Sequence, residues 1–466
     1  MTGPSAATPP AEPVELPTPL DTPLTRWEVA RKLVHMGVGA LAFSLRFLGP
    51  LWGAVLAAAA VLFNLMLLPR IGGRRLYRSA EAELGRSLGI LLYPLAVLLL
   101  IVAFHRRLEV AAAAWGILAF GDGMASLVGM SLGRTKLPWN PGKSWAGTGA
   151  YVLFGTLAAW SLLLWTAPGV YGGGFALAAA AAAATLAAAL ESLPQGLDDN
   201  LGVPMVAALL LLCLVLSDGG WGIVGTSAFL AALGAGAAVN TALAAAAYLT
   251  RTVNLSGAVA GWAVGTTIWG FLGWRGFLLL LAFFVLGSAA TKLGYRRKAE
   301  RRLAQEEGGR RGARHALANA GVAVACAIFA LTTSYDLLFA LAFAAAFATA
   351  ASDTAGSEIG QLWGRRAYLA TTFRRVAPGT EGAVSVEGTA AGIAASVAIG
   401  ALGAALGLFP WIGVAVVAVA AFAGTTLESL LGAAVDRRGL LDNEAMNFLN
   451  TLVGALVAAA LSPLVA

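Results

Sequence analysis

Apolar runs of about 17 to 25 residues, the length that a helix needs to cross a bilayer, follow one another from Val34 to the C-terminus. Their number predicts about fifteen transmembrane helices. Since 59% of the residues are hydrophobic and only 12% are charged, the chain cannot fold as an ordinary soluble domain. The sequence therefore predicts an all-α polytopic membrane protein that acts within the lipid bilayer.

Residues 1–25 precede these runs and differ from them in composition. They are rich in Pro, Ala and Thr, and they lack the apolar core of a signal peptide. We predict that they form a disordered cytoplasmic tail and that the first apolar run is a retained anchor.

The net charge of +7 is carried mainly by arginines in short connections between the apolar runs. This is the positive-inside pattern, in which basic residues mark the cytoplasmic side. It predicts a multi-pass protein of the cell inner membrane and explains the charge without a nucleic-acid partner. The charge pattern is compatible with either a monomer or an oligomer. The polar segments predicted to face the cytoplasm, with the active sites, are 133–147, 191–202, 292–313, 353–386 and 431–444.

A spaced motif, D-x3-S-x2-G-x3-G-R, begins at Asp122 and occurs again at Asp353. Downstream of each copy, an S-x2-G-T motif begins at Ser144 and at Ser385. These serines are predicted to open helices, whose first N–H groups are free to bind phosphate.

Two further matches follow in the same order. The sequence L-E-S-L contains Glu191 and recurs around Glu428, and each copy precedes an acidic-amide pair, at Asp199 and at Asp442. Four ordered matches predict two related halves, covering 26–216 and 225–466.

Asp122 and Asp353 lie in apolar runs, where a carboxylate costs roughly 2.5 to 3.5 kcal/mol on insertion scales. One interpretation is an ion pair that only fixes helix packing. The other is a metal site, because Mg²⁺ takes hard oxygen ligands and completes its shell with water and phosphate. Glu191 and Glu428 would then add carboxylates from separate helices, with further oxygens from Asp199 and Asp442.

Lys136 and Lys143 are two of only five lysines in the chain and share one motif loop. A lysine is a compact phosphate ligand, although positive-inside charge alone would also place lysines here. The corresponding loop of the second half has arginines and Glu381 instead, which predicts a different arrangement of substrate phosphates. His35 is either a general base for a hydroxyl group or a structural residue.

These segments resemble known families. The segments 31–35, 121–129, 133–136 and 141–148 are similar to the phytol kinase and dolichol kinase family, and the resemblance covers about 26–216. The segments 254–261, 352–358, 378–385 and 442–450 resemble the phytyl-phosphate kinase family, over about 225–466. The resemblance implies a fusion of two kinases for isoprenoid salvage.

In such a fusion, the first half would convert a prenyl alcohol (phytol, geranylgeraniol or farnesol) to the monophosphate, and the second half would convert the prenyl phosphate to the diphosphate. CTP would be the phosphoryl donor, together with Mg²⁺. The catalytic residues implied are Asp122, Lys143, Glu191, Asp353, Glu381 and Glu428. The metal ligands implied are Asp122, Glu191, Asp199, Asp353, Glu358 and Asp442. The residues implied to bind the nucleotide are Arg31, Arg134, Lys136, Ser144, Thr148, Ser357, Arg365, Thr380, Gly382, Ser385 and Asn443.

Two other classes stay open. A CTP:phosphatidate cytidylyltransferase shares the aspartate and a P-x-K-[ST]-W-x-G stretch with the first half, but its later P-G-H-G-G and D-R-x-D motifs are missing after Glu191 and after Glu428. A transporter would also have repeated membrane folds with carboxylates at membrane depth. In addition, one half could be catalytic and the other only a scaffold.

Overall fold

The computed structural model describes residues 26–68, 70, 88–193, 199–294, 312–377, 379–380, 382–435 and 443–465. Nearly all of these residues are helical. Within a bilayer a helix satisfies its own backbone hydrogen bonds, whereas extended chain does not. The predicted all-α membrane fold is therefore confirmed.

The chain divides into two units, of which the first contains the described residues up to Val215. Its short strands form an antiparallel hairpin, β1 Lys136–Leu137 with β2 Asn140–Ser144. A 3-10 turn, Ala40–Ser44, joins its first two helices. The helices of the first unit are α1 Arg26–Gly39, α2 Leu45–Leu62, α3 Leu88–Ala103, α4 Leu108–Gly116, α5 Asp122–Leu132, α6 Trp145–Thr166, α7 Gly173–Ser192 and α8 Asp199–Leu216.

The second unit contains the described residues from Leu216 onward. Its three short strands, β3 Ala367–Leu369, β4 Arg375–Val376 and β5 Ala383–Ser385, form an antiparallel sheet with β3 in the middle. The helices of the second unit are α9 Ser227–Leu249, α10 Leu255–Lys292, α11 Ala313–Thr332, α12 Asp336–Trp363, α13 Val386–Ala405, α14 Gly413–Val435 and α15 Asn443–Leu461.

Twelve helical stretches among the described residues are long and apolar enough to cross a membrane, and one shorter apolar helix covers Ile90–Ala103. The stretch Val29–Leu67 has 39 residues, nearly twice the length of one span. It breaks at Gly49, whose φ of 67° and ψ of 178° are not helical, and Pro50 follows. A positive φ is readily accessible only to glycine.

The chain folds back at this break. A Cβ placed on Gly53 would lie 2.7 Å from Cδ2 of Leu45, although eight residues of continuous helix would separate them by about 12 Å. The same occurs in α10, where Gly273 has a φ of 66°. There a Cβ on Gly276 would lie 3.4 Å from Cγ2 of Ile268. With each broken stretch counted as two segments, the described residues contain fourteen segments of about membrane length, in addition to the shorter helix Ile90–Ala103.

The most buried helix of each unit is the one that carries a motif aspartate. Of the spans in the first unit, 108–132 has the largest buried share, 67%, and in the second unit 336–363 has the largest, 78%. Helices α6 and α7 pack around the first of these, and α11, α13, α14 and α15 pack around the second. Asp122 and Asp353 each follow directly after the most buried stretch of their helix, at the point where burial becomes partial.

Candidate functional site

The loop before α6 is built around the hydroxyl of Ser144. This Oγ accepts a hydrogen bond from the N–H of Gly147 at 3.2 Å and caps the helix. A Cβ on Gly129 would lie 3.4 Å from the same oxygen, and a Cβ on Gly133 would clash with it. Glycines are required here because α5 and α6 approach through their backbones, which brings the loop to the helix N-terminus.

Asp122 begins α5 and lies between two cationic or titratable groups from α1. Its Oδ2 is 2.7 Å from Nζ of Lys32 and 3.6 Å from Nε2 of His35. Tyr93 contacts the histidine: its hydroxyl donates to the carbonyl of His35 at 3.3 Å, and its ring lies tilted at 48° to the imidazole with the ring centroids 4.3 Å apart. The carboxylate is therefore ion-paired within the membrane part of the unit.

Lys143 forms a second ion pair in the same unit. Its Nζ donates to Oε1 of Glu191 at 2.5 Å and lies 3.8 Å from Oδ2 of Asp199. Burial alone would lower the pKa of Lys143, but the two carboxylates outweigh it and raise that pKa, so the side chain is an ammonium at neutral pH. Asp122 also interacts electrostatically with Lys143 and Glu191. The first unit thus contains two ion-paired groups, Lys32 with Asp122 and Lys143 with Glu191 and Asp199. Among the described residues, no three His, Cys, Asp or Glu side chains lie close enough together to hold one metal ion.

In the second unit, the corresponding carboxyl groups contact each other. Asp353 on α12 hydrogen-bonds Glu428 on α14, which requires a proton on one group or a cation between them. The amide nitrogen of Asn450 on α15 donates to Glu428 Oε2, while its carbonyl oxygen is buried without a hydrogen-bond partner among the described residues. Glu358 is buried five residues beyond Asp353 on the same helix and acts on it electrostatically.

The loop around Ser385 has the same geometry as the loop around Ser144. The Ser385 hydroxyl caps α13 by accepting from the N–H of Gly388 at 3.1 Å. A Cβ on Gly360 would lie 3.2 Å from Ser385 Oγ, and one on Gly364 would lie 3.0 Å away. Both predicted helix starts are confirmed, and each has two glycines at the same spacing from its aspartate.

Comparison with known proteins agrees with this membrane architecture. A family model described as "Integral membrane protein DUF92" matches residues 238–455. An uncharacterized membrane protein of Synechocystis sp. is 41% identical over 200 residues, which are 42% of this chain and 78% of that protein. The chain belongs to the DUF92 family of integral membrane proteins.

Other similar proteins have more specific names. The chloroplastic protein VTE6 of Arabidopsis thaliana is 37% identical to this DUF92 protein over 217 residues, covering 45% of this chain and 65% of that one. A protein of Synechocystis sp. named phytol kinase is 35% identical over 196 residues, covering 39% of this chain and 78% of the kinase. No solved structure matches the chain.

Within the first unit of this DUF92 protein, four predicted residues come together: Asp122, Lys143, Glu191 and Asp199. The other predicted residues surround them less closely. Arg134 is exposed, and Lys136 is half-buried and pairs across the hairpin with Ser144. Arg31 and Thr148 are half-buried, on α1 and in the first turn of α6. The metal and nucleotide roles of all these residues remain predictions.

In the second unit, Asp353 and Glu428 come together, with Glu358 close by. Ser357 and Arg365 are exposed; the hydroxyl of Ser357 donates to the carbonyl of Thr354. The Thr380 hydroxyl donates to the carbonyl of Ala377, and Gly382 has a φ of 70°. Asn443 is the exposed first residue of α15. The other two predicted residues, Glu381 and Asp442, lie outside the described residues.

Sequence reasoning missed two residues of these centres. Lys32 lies just before the apolar run that begins at Val34, where positive-inside charge alone explains a lysine. Asn450 lies in the 442–450 segment, but nothing in the sequence distinguishes it from the other polar residues of α15. Only the structure shows that each of the two contacts a carboxylate.

The second centre has oxygen donors of the kind that a hard divalent cation such as Mg²⁺ prefers. The carboxyl groups of Asp353 and Glu428 contact each other, and the Asn450 carbonyl oxygen has no partner among the described residues and lies beside Gly424, one turn before Glu428. The first centre fits a metal–phosphate complex better than a bare ion, because its carboxylates are already paired with lysines. Such a complex would give the lysines anions and the carboxylates a cation, so the buried charge stays balanced.

Proposed function

We propose that this protein is a membrane kinase of prenyl alcohols with two consecutive activities. The first unit, within 26–216, phosphorylates the alcohol, and the second, within 225–466, phosphorylates the monophosphate to the diphosphate. CTP is the donor and Mg²⁺ the metal, in line with the family resemblance of the motif loops. The relative named phytol kinase, 35% identical with 78% of its length covered, supports the first activity.

One observation carries this proposal: Lys143 is held between Glu191 and Asp199 next to the capped N-terminus of α6. An ammonium is a ligand for phosphate, and it is the main candidate here, because the N–H groups of Trp145 and Gly147 at the start of α6 already donate to Thr135 O and Ser144 Oγ. The neighbouring Asp122 offers the carboxylate that a metal–phosphate complex also requires. Phosphoryl transfer needs mainly such positioning and charge neutralisation.

In the proposed reaction, the hydroxyl oxygen of the prenol forms a bond to the terminal phosphorus of the triphosphate, and the bond from that phosphorus to its bridging oxygen breaks. The nucleoside diphosphate leaves, and the hydroxyl proton passes to the nearby base. His35 is a suitable base because Asp122 Oδ2 lies 3.6 Å from its Nε2 and would stabilise the imidazolium. Mg²⁺, when bound, neutralises charge on the phosphates.

The second unit lacks ion pairs between lysine and its central carboxylates among the described residues. Asp353 and Glu428 instead contact each other, so this centre would hold the metal more directly. A substrate that already carries a phosphate brings its own negative charge, and arginines of the 374–375 loop are available to neutralise it. The internal repeat of motifs and of the serine–glycine loop geometry supports a duplicated catalytic unit.

We further propose that the protein resides in the cell inner membrane with both centres facing the cytoplasm. The arginine-rich connections support this orientation, and a nucleoside triphosphate is available on that side. Each motif loop lies at the same end of its unit as the N-terminus of the following helix. Fusion of the two activities would raise the effective concentration of the monophosphate at its second site.

The test is an assay of purified protein in lipid with radiolabelled CTP, Mg²⁺ and phytol, farnesol or geranylgeraniol. Wild-type protein should form labelled prenyl diphosphate through the monophosphate. Asp122→Asn should stop the first step, and Asp353→Asn should let the monophosphate accumulate. Replacing CTP with UTP or ATP tests the nucleotide.

The matched control is Glu109→Gln, which alters another buried carboxylate in the first unit, bonded by the Tyr171 hydroxyl at 2.9 Å. This substitution should leave both steps unchanged. If no prenyl phosphate forms with any nucleotide while lipid-linked CMP appears, the kinase proposal is wrong and a cytidylyltransferase replaces it.

A further inference from the structure

The second unit contains an apolar cavity of about 140 Å³ between α9, α10 and α11. Its wall consists of aliphatic and glycine residues with four aromatic side chains, among them Trp262 and Phe277, and three polar residues interrupt it: Asn240, His315 and Asn319. Asn240 and Asn319 are both buried and donate their amide nitrogens to carbonyls of their own helices. A cavity with this lining favours an apolar ligand that has a polar end.

The cavity is built by a motif that the carboxylate centre does not use. The segment 254–261 opens α10, and its Gly257, Ala258 and Gly261 line the cavity wall. Asn254 Oδ1 caps the helix by accepting from the N–H of Gly257 at 2.9 Å. Ser256 Oγ accepts from the N–H of Ala313 at 3.2 Å and so ties α10 to the start of α11. The motif therefore shapes one wall and holds two helix N-termini together beside it.

The polar end of the cavity lies at the depth of the carboxylate centre. His315 stands 17 residues before the end of α11 at Thr332, and Asp353 stands 17 residues after the start of α12 at Asp336. These two helices are consecutive and pack against each other. At a rise of 1.5 Å per residue, both residues lie about 25 Å from the turn that joins the helices.

The size of the cavity limits what it can hold. A cavity of about 150 Å³ lined by apolar side chains accommodates benzene, so this one has room for a single branched five-carbon unit. It does not have room for the two chains of a phospholipid. Leu243 and Trp262, which line it, are 40% and 39% exposed, so the rest of a long chain can leave sideways toward lipid.

We propose that this cavity binds the head-proximal isoprene unit of a prenyl monophosphate, whose phosphate group then reaches the Asp353–Glu428 centre. The inference rests on the proposed second activity. It predicts that the cavity distinguishes methyl-branched prenyl phosphates from linear alkyl phosphates and is insensitive to the number of distal isoprene units.

Gly261 offers a clean test, because it lines the cavity and a Cβ there would meet nothing within 4 Å. Gly261→Leu should fill the cavity without displacing protein atoms. It should raise the KM for geranylgeranyl monophosphate about tenfold or more, because the first isoprene unit could no longer be buried there. The KM for linear hexadecyl monophosphate should rise less, because an unbranched chain buries less apolar surface in the cavity than a methyl-branched unit does. The control is Gly234→Leu on α9, another open position that does not line the cavity, and neither KM should change there.

A geranylgeranyl monophosphate with a diazirine on its first isoprene unit tests binding without turnover. The inference is supported if the label falls on the 240–262 or 315–320 segments and Gly261→Leu abolishes that labelling. If this labelling is seen but no diphosphate forms, the cavity assignment stands and the proposed second kinase activity is wrong. If diphosphate forms but the KM is unaffected by Gly261→Leu and the label falls elsewhere, the cavity assignment is wrong and the kinase stands. Labelling that excess phosphatidylglycerol displaces equally well would also overturn the inference.

Discussion

Replacing Lys32 with methionine removes the ammonium that lies 2.7 Å from Oδ2 of Asp122 but keeps a side chain of similar length. The side chains of the two partners are only 12% and 24% exposed. Their direct attraction is about 6 kcal/mol at an effective dielectric constant of 20, and desolvation offsets much of it. Breaking such a pair from one side usually costs about 3 to 5 kcal/mol, because the other charge stays buried.

We expect Lys32→Met to lower the free energy of unfolding by about 3 kcal/mol, at the low end of that range, because His35 lies 3.6 Å from the same carboxylate oxygen and replaces part of the lost interaction. The double variant Lys32→Met/Asp122→Asn should lose only about 1 kcal/mol, since no charge is left buried. The coupling energy of the double-mutant cycle should therefore be about 2 kcal/mol or more.

The measurement is reversible unfolding in mixed micelles with increasing SDS, followed by circular dichroism and without ligands, so it reports folding alone. The control is Lys136→Met, because Lys136 is half-buried but forms no ion pair with a described residue. It should change stability by less than about 0.5 kcal/mol. If the effects of Lys32→Met and Asp122→Asn simply add, the pair is not coupled and the argument from burial fails.

Three further predictions concern the loops and the second centre. Ser144→Ala and Ser385→Ala should each cost about 1 kcal/mol in SDS unfolding through loss of a helix cap; equal stability to wild type would contradict the capping role. Asp353→Asn should slow diphosphate formation more than about a hundredfold, since even residues behind a metal ligand cost about 10- to 100-fold; unchanged turnover would exclude Asp353 from the site. Because Glu191 helps raise the pKa of Lys143 above its ordinary 10.5, the stability gap between wild type and Lys143→Met should persist from neutral pH to that value and close only above it; a gap that closes near neutral pH would contradict the ion pair.

The sequence predicted the membrane segments well, because a bilayer requires about 20 apolar residues for each span and these runs are unmistakable. It also predicted the helix starts at Ser144 and Ser385. Each is the first residue of an S-x2-G-T motif, and a serine at this position caps a helix through a hydrogen bond from an N–H group only three residues away. Local rules of this kind depend on neighbours in the chain and need no knowledge of tertiary packing.

Contacts between distant segments could not be predicted in the same way. Lys32 and Asp122 are 90 positions apart, and uniform apolar helices give little indication of which faces meet. For the same reason the sequence could not predict that the two aspartates have different partners. Asp122 is paired with a lysine, whereas Asp353 contacts Glu428 directly. The repeat of motifs suggested two equal sites, but their electrostatic surroundings differ.

The reversals at Gly49 and Gly273 have a consequence for the biogenesis of the protein. Each joins two apolar segments through a single non-helical glycine, so there is no polar loop to be translocated on its own. The two segments must therefore enter the bilayer together, as a preformed helical hairpin. Their orientation is then set by the basic residues at the open end of the hairpin, and an epitope or glycosylation acceptor inserted at either glycine would disrupt insertion before it could report the topology.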